Sequence, residues 1–347
     1  MSKPLVLVTG SSGFIGFRTL LTALQAGYPV RAAVRSPFKG ETLLANPVLK
    51  AILSGPGAQL SFVTVPDIVA PEAYMEALKD VTYVLHIASP VPKAGLTDFE
   101  AEMVQPAVRG TLNLLEAAAK VKSVKRIVIT SSIVAVVDFN FWTNPEYIKV
   151  ASPENRIRGL EGLPVTDVRT AYQVSKIKAL NASEEFIQRE KPGFDLINVL
   201  PSYVVGPNAL NTKPEDVLST TNAVVFTQIL GTDATTPVAG AVVSVDDVAL
   251  MHVLALDPMV PGNISLAANS GGKGYVTLEE AVEIVKRRFP EAVADGRLRP
   301  TGKMTSREMT FDGTRSEKIL GFKFRSYETQ IVETTQHYLN LLAKSNL

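Results

Sequence analysis

From the N-terminus to Pro207 the chain switches repeatedly between two hydrophobic periods. Short apolar runs bounded by turn formers, at Leu5–Val8, Pro29–Arg35, Ser61–Val65, Val81–Ile87, Arg126–Thr130 and Phe194–Leu200, read as strands. The first run is continuously apolar, as a strand buried on both faces of a parallel sheet requires. Between the runs, apolar residues recur at helical intervals: Phe14–Ala26, stopped by Gly27; Pro71–Leu78; Phe99–Val121, interrupted at Pro106; and Arg169–Gln188. Strands alternating with helices predict an α/β fold, a doubly wound parallel sheet. After Pro207, Thr, Asn and Gly rise and the alternation stops. The expected division is a main domain over 1–207, to which a strand running into a helix returns at 241–256, and a smaller, partly helical C-terminal lobe from 208–240 and 257–347.

One segment fits neither period. Val137 to about Val168 carries Phe139, Phe141, the only tryptophan (Trp142), Tyr147, Pro145, Pro153 and Pro164. A stretch this long without periodicity is usually a functional loop region. We read it as part of a substrate wall, against the plainer reading of a loop anchored by its aromatics.

Composition narrows the class. With 347 residues the chain is long enough for a sizeable core. Apolar residues make up 46%, charged residues 20%, and the net charge is +1, a balance that fits a soluble globular protein and not a nucleic-acid binder. No apolar run reaches the roughly 18 residues of a membrane span. The opening Met-Ser-Lys-Pro enters the first strand directly and leaves no room for a signal peptide, so the expected location is cytoplasmic. The absence of cysteine removes disulfides, thiolate catalysis and Cys-ligated metals. His86, His252 and His337 lack metal-ligand spacing, and no metal site is expected. His86, inside a strand with no acid–base partner nearby in sequence, reads as a satisfied sheet residue.

The chemistry begins where the first strand ends, at Thr9-Gly10-Ser11-Ser12-Gly13-Phe14-Ile15-Gly16. Gly10 permits the tight turn, Gly13 lets backbone approach a ligand, and Gly16 lets the helix pack on the strand. The helix start, with its open N–H groups and positive dipole end, is a seat for a pyrophosphate. Strand before and helix after make this a dinucleotide fingerprint of the Rossmann type, with Gly10, Ser12, Gly13, Phe14, Ile15 and Gly16 around the cofactor. At the end of the second strand, where NAD enzymes usually place an acid, stand Arg35 and Ser36, with Lys39 following. A carboxylate would repel a 2′-phosphate, whereas Arg grips it with two hydrogen bonds, so the cofactor read here is NADP(H). Ala88-Ser89-Pro90, small residues after the fourth strand, leave space for it. Tyr172 and Lys176 lie four apart, one helical turn on one face. A phenol of pKa about 10 is a poor acid or base at neutral pH, and a neighbouring ammonium lowers that value. The pair makes a usable proton donor for a carbonyl oxygen receiving hydride, and Ser132, at the end of the fifth strand, can hydrogen-bond the same carbonyl.

Thr9-Gly10-x-x-Gly13-Phe14-Ile15-Gly16, Val34-Arg35, Asp67-Ile68, Ala88-Ser89-Pro90, Thr130-Ser131-Ser132, Tyr172-x-x-x-Lys176, Pro201-Ser202-x-Val204-Val205-Gly206-Pro207 and Val245-Asp246-Asp247-Val248-Ala249 together resemble the extended short-chain dehydrogenases/reductases, specifically the dihydroflavonol-reductase-like group. The resemblance covers nearly the whole chain. It implies hydride transfer from NADPH to a carbonyl with Ser132, Tyr172 and Lys176 as catalytic triad. It also implies that Asp67 and Ile68 lie against the adenine, that Thr130 lies at the cofactor, and that the backbone and side chains around Pro201 and Val204 hold the nicotinamide end. Epimerases and dehydratases of the extended branch usually carry Asn where this chain has Ala107, with Pro106 before it as in the reductases. The Val137–Val168 segment and Ser244, where His is common, depart from the plant members, so the fungal type of carbonyl reductase fits better.

The expectation is therefore an NADPH-dependent reductase of an aldehyde or ketone, with Tyr172 as proton donor and walls from Ala88–Pro92, Phe139–Trp142 and the loop after Tyr203. Its partner is a small-molecule carbonyl compound, with no nucleic acid and no membrane, and the chain is a monomer or homodimer. Two other readings stand beside it: a sugar-nucleotide epimerase or dehydratase, and a non-catalytic NADP-sensing regulator.

Overall fold

A computed structural model describes residues 3–90, 95–144, 150–160 and 165–345. Among these, one sheet is built from β1 (Val6–Thr9), β2 (Val30–Val34), β3 (Leu60–Thr64), β4 (Tyr83–His86), β5 (Arg126–Thr130), β6 (Asp195–Pro201) and β7 (Ile264–Ala268). The order across it is β7-β6-β5-β4-β1-β2-β3. All neighbours from β3 to β6 pair in parallel. Strand order reverses between β1 and β4. α1 (Phe14–Gln25) follows β1 and leads to β2 on one side of that point, while α4 (Gln105–Ala119) and α5 (Val168–Glu190) follow β4 and β5 on the other side and pack on each other. With the usual right-handed crossovers the two sets cover opposite faces of the sheet. Every residue of β1 is buried. Leu7, Val84, Ile127 and Leu196 from four strands pack with Leu114 and Leu115 of α4 in one core.

Local signals set the helix limits. α1 starts directly after Gly13 and stops before Gly27, whose φ is +80°. α5 is capped by the Asp167 carboxylate, which accepts from the Arg169 and Thr170 N–H groups. The expected interruption at Pro106 is a π-helical turn over Glu100–Val104, closed by Gln105 N–H to the Glu100 carbonyl. Proline offers no N–H to continue an ordinary turn through that point. Pro71–Leu78 is not a helix. It runs as consecutive turns, bracketed by Glu72 and Asp80 at φ +55° and +61°, which no right-handed helix accommodates. The helices α2 (Pro37–Ala45) and α3 (Pro47–Leu53), each entered through a proline, were not expected.

The chain forms two compact units. The first comprises 1–138, 153–200 and 249–266; the second comprises 139–152, 201–248 and 267–347. These limits differ from the expected ones for identifiable reasons. Residues 139–152 join the second unit because Val150–Ala151 pairs with Thr310–Phe311 and because Arg307 donates to the carbonyls of Phe141 and Asn144. Tyr203–Val205 pairs with Val242–Ser244, which draws 201–207 and 241–248 into the same unit. Conversely, 249–266, much of it expected in the lobe, belongs to the first unit. There Arg126 donates to the carbonyls of Ala255, Asp257 and Val260, and β7 extends the main sheet. α6 (Val245–Leu254) straddles the limit.

Candidate active site

The C-terminal ends of β1 and β4 lie side by side at the reversal of strand order, with Thr9 opposite His86. Open α/β sheets take their ligands outside this point. The turn out of β1 is held by glycine for two separate reasons. Gly10 sits at φ +69°, and a Cβ there would stand 2.7 Å from the Ala88 backbone nitrogen. At Gly16 a Cβ would overlap the Gly10 carbonyl oxygen. Ser12 and Gly13 are exposed, Phe14 and Ile15 half-buried. No side chain caps α1, so its leading N–H groups are left to other acceptors.

One residue past β2, Arg35 is exposed, as is Lys39 in the first turn of α2. After β3, Asp67 is exposed and its Oδ1 accepts from the Val69 N–H at 2.9 Å. Ile68 beside it is half-buried. After β4, Ala88, Ser89 and Pro90 are half-buried; the Ala88 N–H donates to Thr9 Oγ1 at 3.1 Å, and the same hydroxyl meets His86 Nδ1 at 2.8 Å.

The helix α5 brings Tyr172 and Lys176 to this end of the sheet. Lys176 Nζ lies 5.6 Å from the centre of the Tyr172 ring and donates to Ser89 Oγ at 3.0 Å. Lys176 is only 7% exposed, and burial lowers its pKa from 10.5 to about 8. His86 is buried too. Desolvation, followed by the Lys176 charge, holds it down to about 3, so it stays neutral. Ser132 follows β5 and caps the turn Ile133–Ala135, its Oγ facing the Val134 N–H at 3.4 Å. That turn packs on α5, and Gln173 Nε2 donates to the Val137 carbonyl at 2.7 Å. The strand end carrying Ser132 is thus tied to the helix carrying Tyr172 and Lys176. A cavity of about 20 Å³, room for one water, is bounded by Lys176, Ser89, His86, Thr130 and Asn198. A larger cleft of about 300 Å³, lined by Lys125, Lys191, Asp195 and Asn263, lies at the opposite, N-terminal ends of β5 and β6 and is remote from this chemistry.

Residues 6–264 match the family described as "NAD dependent epimerase/dehydratase family". The chain belongs to that family. A curated relative, the ketoreductase CTB6 of Cercospora beticola, is 36% identical over 99% of this chain and 97% of its own length. Another, named NAD-dependent epimerase/dehydratase ALT6, from Alternaria alternata, is 34% identical over 95% of this chain and 96% of its own. Among solved structures, that of yeast methylglyoxal/isovaleraldehyde reductase Gre2 complexed with NADPH superposes with a TM-score of 0.80 at 28% identity, covering 98% of this chain and 99% of that one.

In this member of the family the first unit gathers Gly10, Ala88, Ser89, Thr130, Ser132, Tyr172 and Lys176 around the ends of β1, β4 and β5. Pro201 and Val204 are buried in the second unit. Phe141, expected in a substrate wall, is instead 1% exposed with the Arg307 guanidinium 4.1 Å from its ring centre, so it anchors its segment. Val91, Pro92, Pro145, Tyr147 and Pro164 lie outside the described residues, as does the Trp142 side chain. Sequence reasoning missed the polar supports: Thr9 under His86 and Ala88, His252 Nε2 at 2.7 Å from Thr130 Oγ1, and Gln173 on Val137. Thr9 had a signal, a hydroxyl ending an apolar run just before Gly10. The other two pairings join distant positions, and no local pattern announces them.

Proposed function

We propose that this chain is an oxidoreductase that uses NADPH to reduce the carbonyl of a small aldehyde or ketone. The observation that carries the reading is the buried Lys176 ammonium beside the Tyr172 ring, at the ligand-binding end of a parallel sheet. The names of CTB6, a ketoreductase, and of Gre2, crystallised with NADPH, support it. The site suits the cofactor. The uncapped start of α1 matches a pyrophosphate, and exposed Arg35 and Lys39 match a 2′-phosphate where an acid would repel one. Bound NADPH supplies the hydride.

The chain's own groups handle the oxygen. Ser132 Oγ donates a hydrogen bond to the substrate carbonyl and fixes its orientation. The Tyr172 phenol gives its proton to that oxygen as negative charge builds there. Lys176, charged below about pH 8, stabilises the phenolate left behind. Ser89, by accepting one ammonium hydrogen, helps aim the other two. The epimerase/dehydratase reading calls for an acid at the end of β2, where Arg35 stands.

The test is loss of NADPH absorbance with purified protein across aldehydes, α-dicarbonyls, β-keto esters and aryl ketones. Tyr172→Phe is expected to lower turnover roughly 10²–10⁴-fold while NADPH still binds. Full activity in that variant would remove Tyr172 from the mechanism. Cofactor binding without reduction of any carbonyl would favour the sensor reading.

A further inference from the structure

Two residues of α4 grip the loop that follows β3. Asn113 and Gly110 are three positions apart and so share one helix face. Asn113 is 3% exposed, and its Nδ2 donates to the Ile68 carbonyl at 3.0 Å and to the Ala70 carbonyl at 3.1 Å. Its Oδ1 is buried with no partner, so the side chain is placed for its two donors. Gly110 adds a close approach: a Cβ there would stand 2.9 Å from Ile68 Cδ1. Within the loop, Asp67 Oδ1 takes the Val69 N–H, and the carboxylate as a whole stays exposed. Carbonyl groups past the end of a strand have no ladder partner and are left to water or to side chains. Here α4 supplies those partners, and the loop is fixed by the helix and not by the sheet.

We infer that Asn113, with Gly110, is a positioning residue for the adenosine end of the cofactor: it holds Asp67 and Ile68 in the arrangement that receives the adenine. This rests on the reading that NADPH binds and that Asp67 and Ile68 lie against its base. Asn113 itself touches neither cofactor nor substrate. No other side chain of its size offers two amide hydrogens from one nitrogen except glutamine, which is one methylene longer. Leucine would leave both carbonyls without donors, and aspartate would set an acceptor against them.

The experiment measures calorimetric affinity for 2′,5′-ADP, which carries adenine and 2′-phosphate but no nicotinamide. It is paired with KM and kcat for NADPH and for reduced nicotinamide mononucleotide, which lacks the adenosine. Asn113→Leu is expected to weaken 2′,5′-ADP and raise the KM for NADPH by about tenfold each, with kcat and the KM of the carbonyl substrate unchanged. Its rates with the mononucleotide should equal those of the unaltered chain. Gly110→Ala, a smaller perturbation of the same contact, should move the same constants in the same direction and serves where Asn113→Leu does not fold. Unchanged 2′,5′-ADP affinity in a folded variant would overturn the inference. A fall in kcat with NADPH and the mononucleotide alike would also overturn it, since that marks a general structural role. Failure of the unaltered chain to bind 2′,5′-ADP would overturn the cofactor reading first, and this proposal with it.

Discussion

A lysine ammonium almost cut off from water is costly to keep charged, and Lys176 is such a group. Its pKa is about 8 in the folded chain and 10.5 when exposed, so between those values the unfolded chain binds more protons. Stability therefore rises as pH climbs from about 8 to 10.5, and the deficit is fully present below 8. The shift corresponds to about 3 kcal/mol. Lys176→Met should raise stability at pH 7 by up to that amount and flatten the rise above pH 8, read by thermal unfolding across pH. An unchanged profile would mean that the amine is better solvated than its burial implies. Arg35 is tested by exchange of charge. Arg35→Asp should shift the NADPH-to-NADH preference by on the order of 10- to 100-fold, because charge-assisted hydrogen bonds are lost and repulsion is gained. Equal ratios of kcat/KM before and after would place the 2′-phosphate elsewhere. The placement of Arg35 just past a strand end, and of Tyr172 and Lys176 on one face of a helix, was legible in the sequence because each sits at a fixed offset from a strand end or a helical partner. Thr9, Gln173 and His252 act through pairings across the fold, and Asn113 reads locally as one more polar position in an apolar helix.

Elements were legible where local chemistry and tertiary packing agree. β1 and α1 meet at glycines whose missing side chains the geometry demands, so Gly10 and Gly16 could be read with their purposes. The Pro106 interruption was equally visible, though not that it would take the form of a π-helical turn. Pro71–Leu78 misled because its spacing is helical while its anchoring is not: Tyr74 and Leu78 are fully buried in the core, and the backbone turns sharply at Glu72 and Asp80 to deliver them. β7 escaped notice because it stands alone between irregular stretches, after the βα alternation has ended. Its membership of the main sheet comes from pairing beside β6, a relation that no window of neighbouring residues contains.

The second unit is assembled from three separated pieces of chain, and particular contacts sew them together. Asp247, 1% exposed at the start of α6, accepts from the Arg325 backbone N–H at 2.7 Å and from its guanidinium at 2.5 Å. Arg325 is one-third exposed, so the pair is worth less than a fully buried one. Asp247→Ala should still cost about 2 kcal/mol in urea unfolding, because a backbone donor loses its acceptor as well. A change below about 0.5 kcal/mol would show that Asp246 and Glu333, at 3.4 and 3.9 Å from the guanidinium, take over its role. None of this stitching was visible in the sequence, where the motif Val245-Asp246-Asp247 pointed to the main domain. The chain passes between units after residues 138, 152, 200, 248 and 266. A single recombination event between two related genes therefore cannot exchange one unit and leave the other intact, since every breakpoint makes a chimaera of at least one of them.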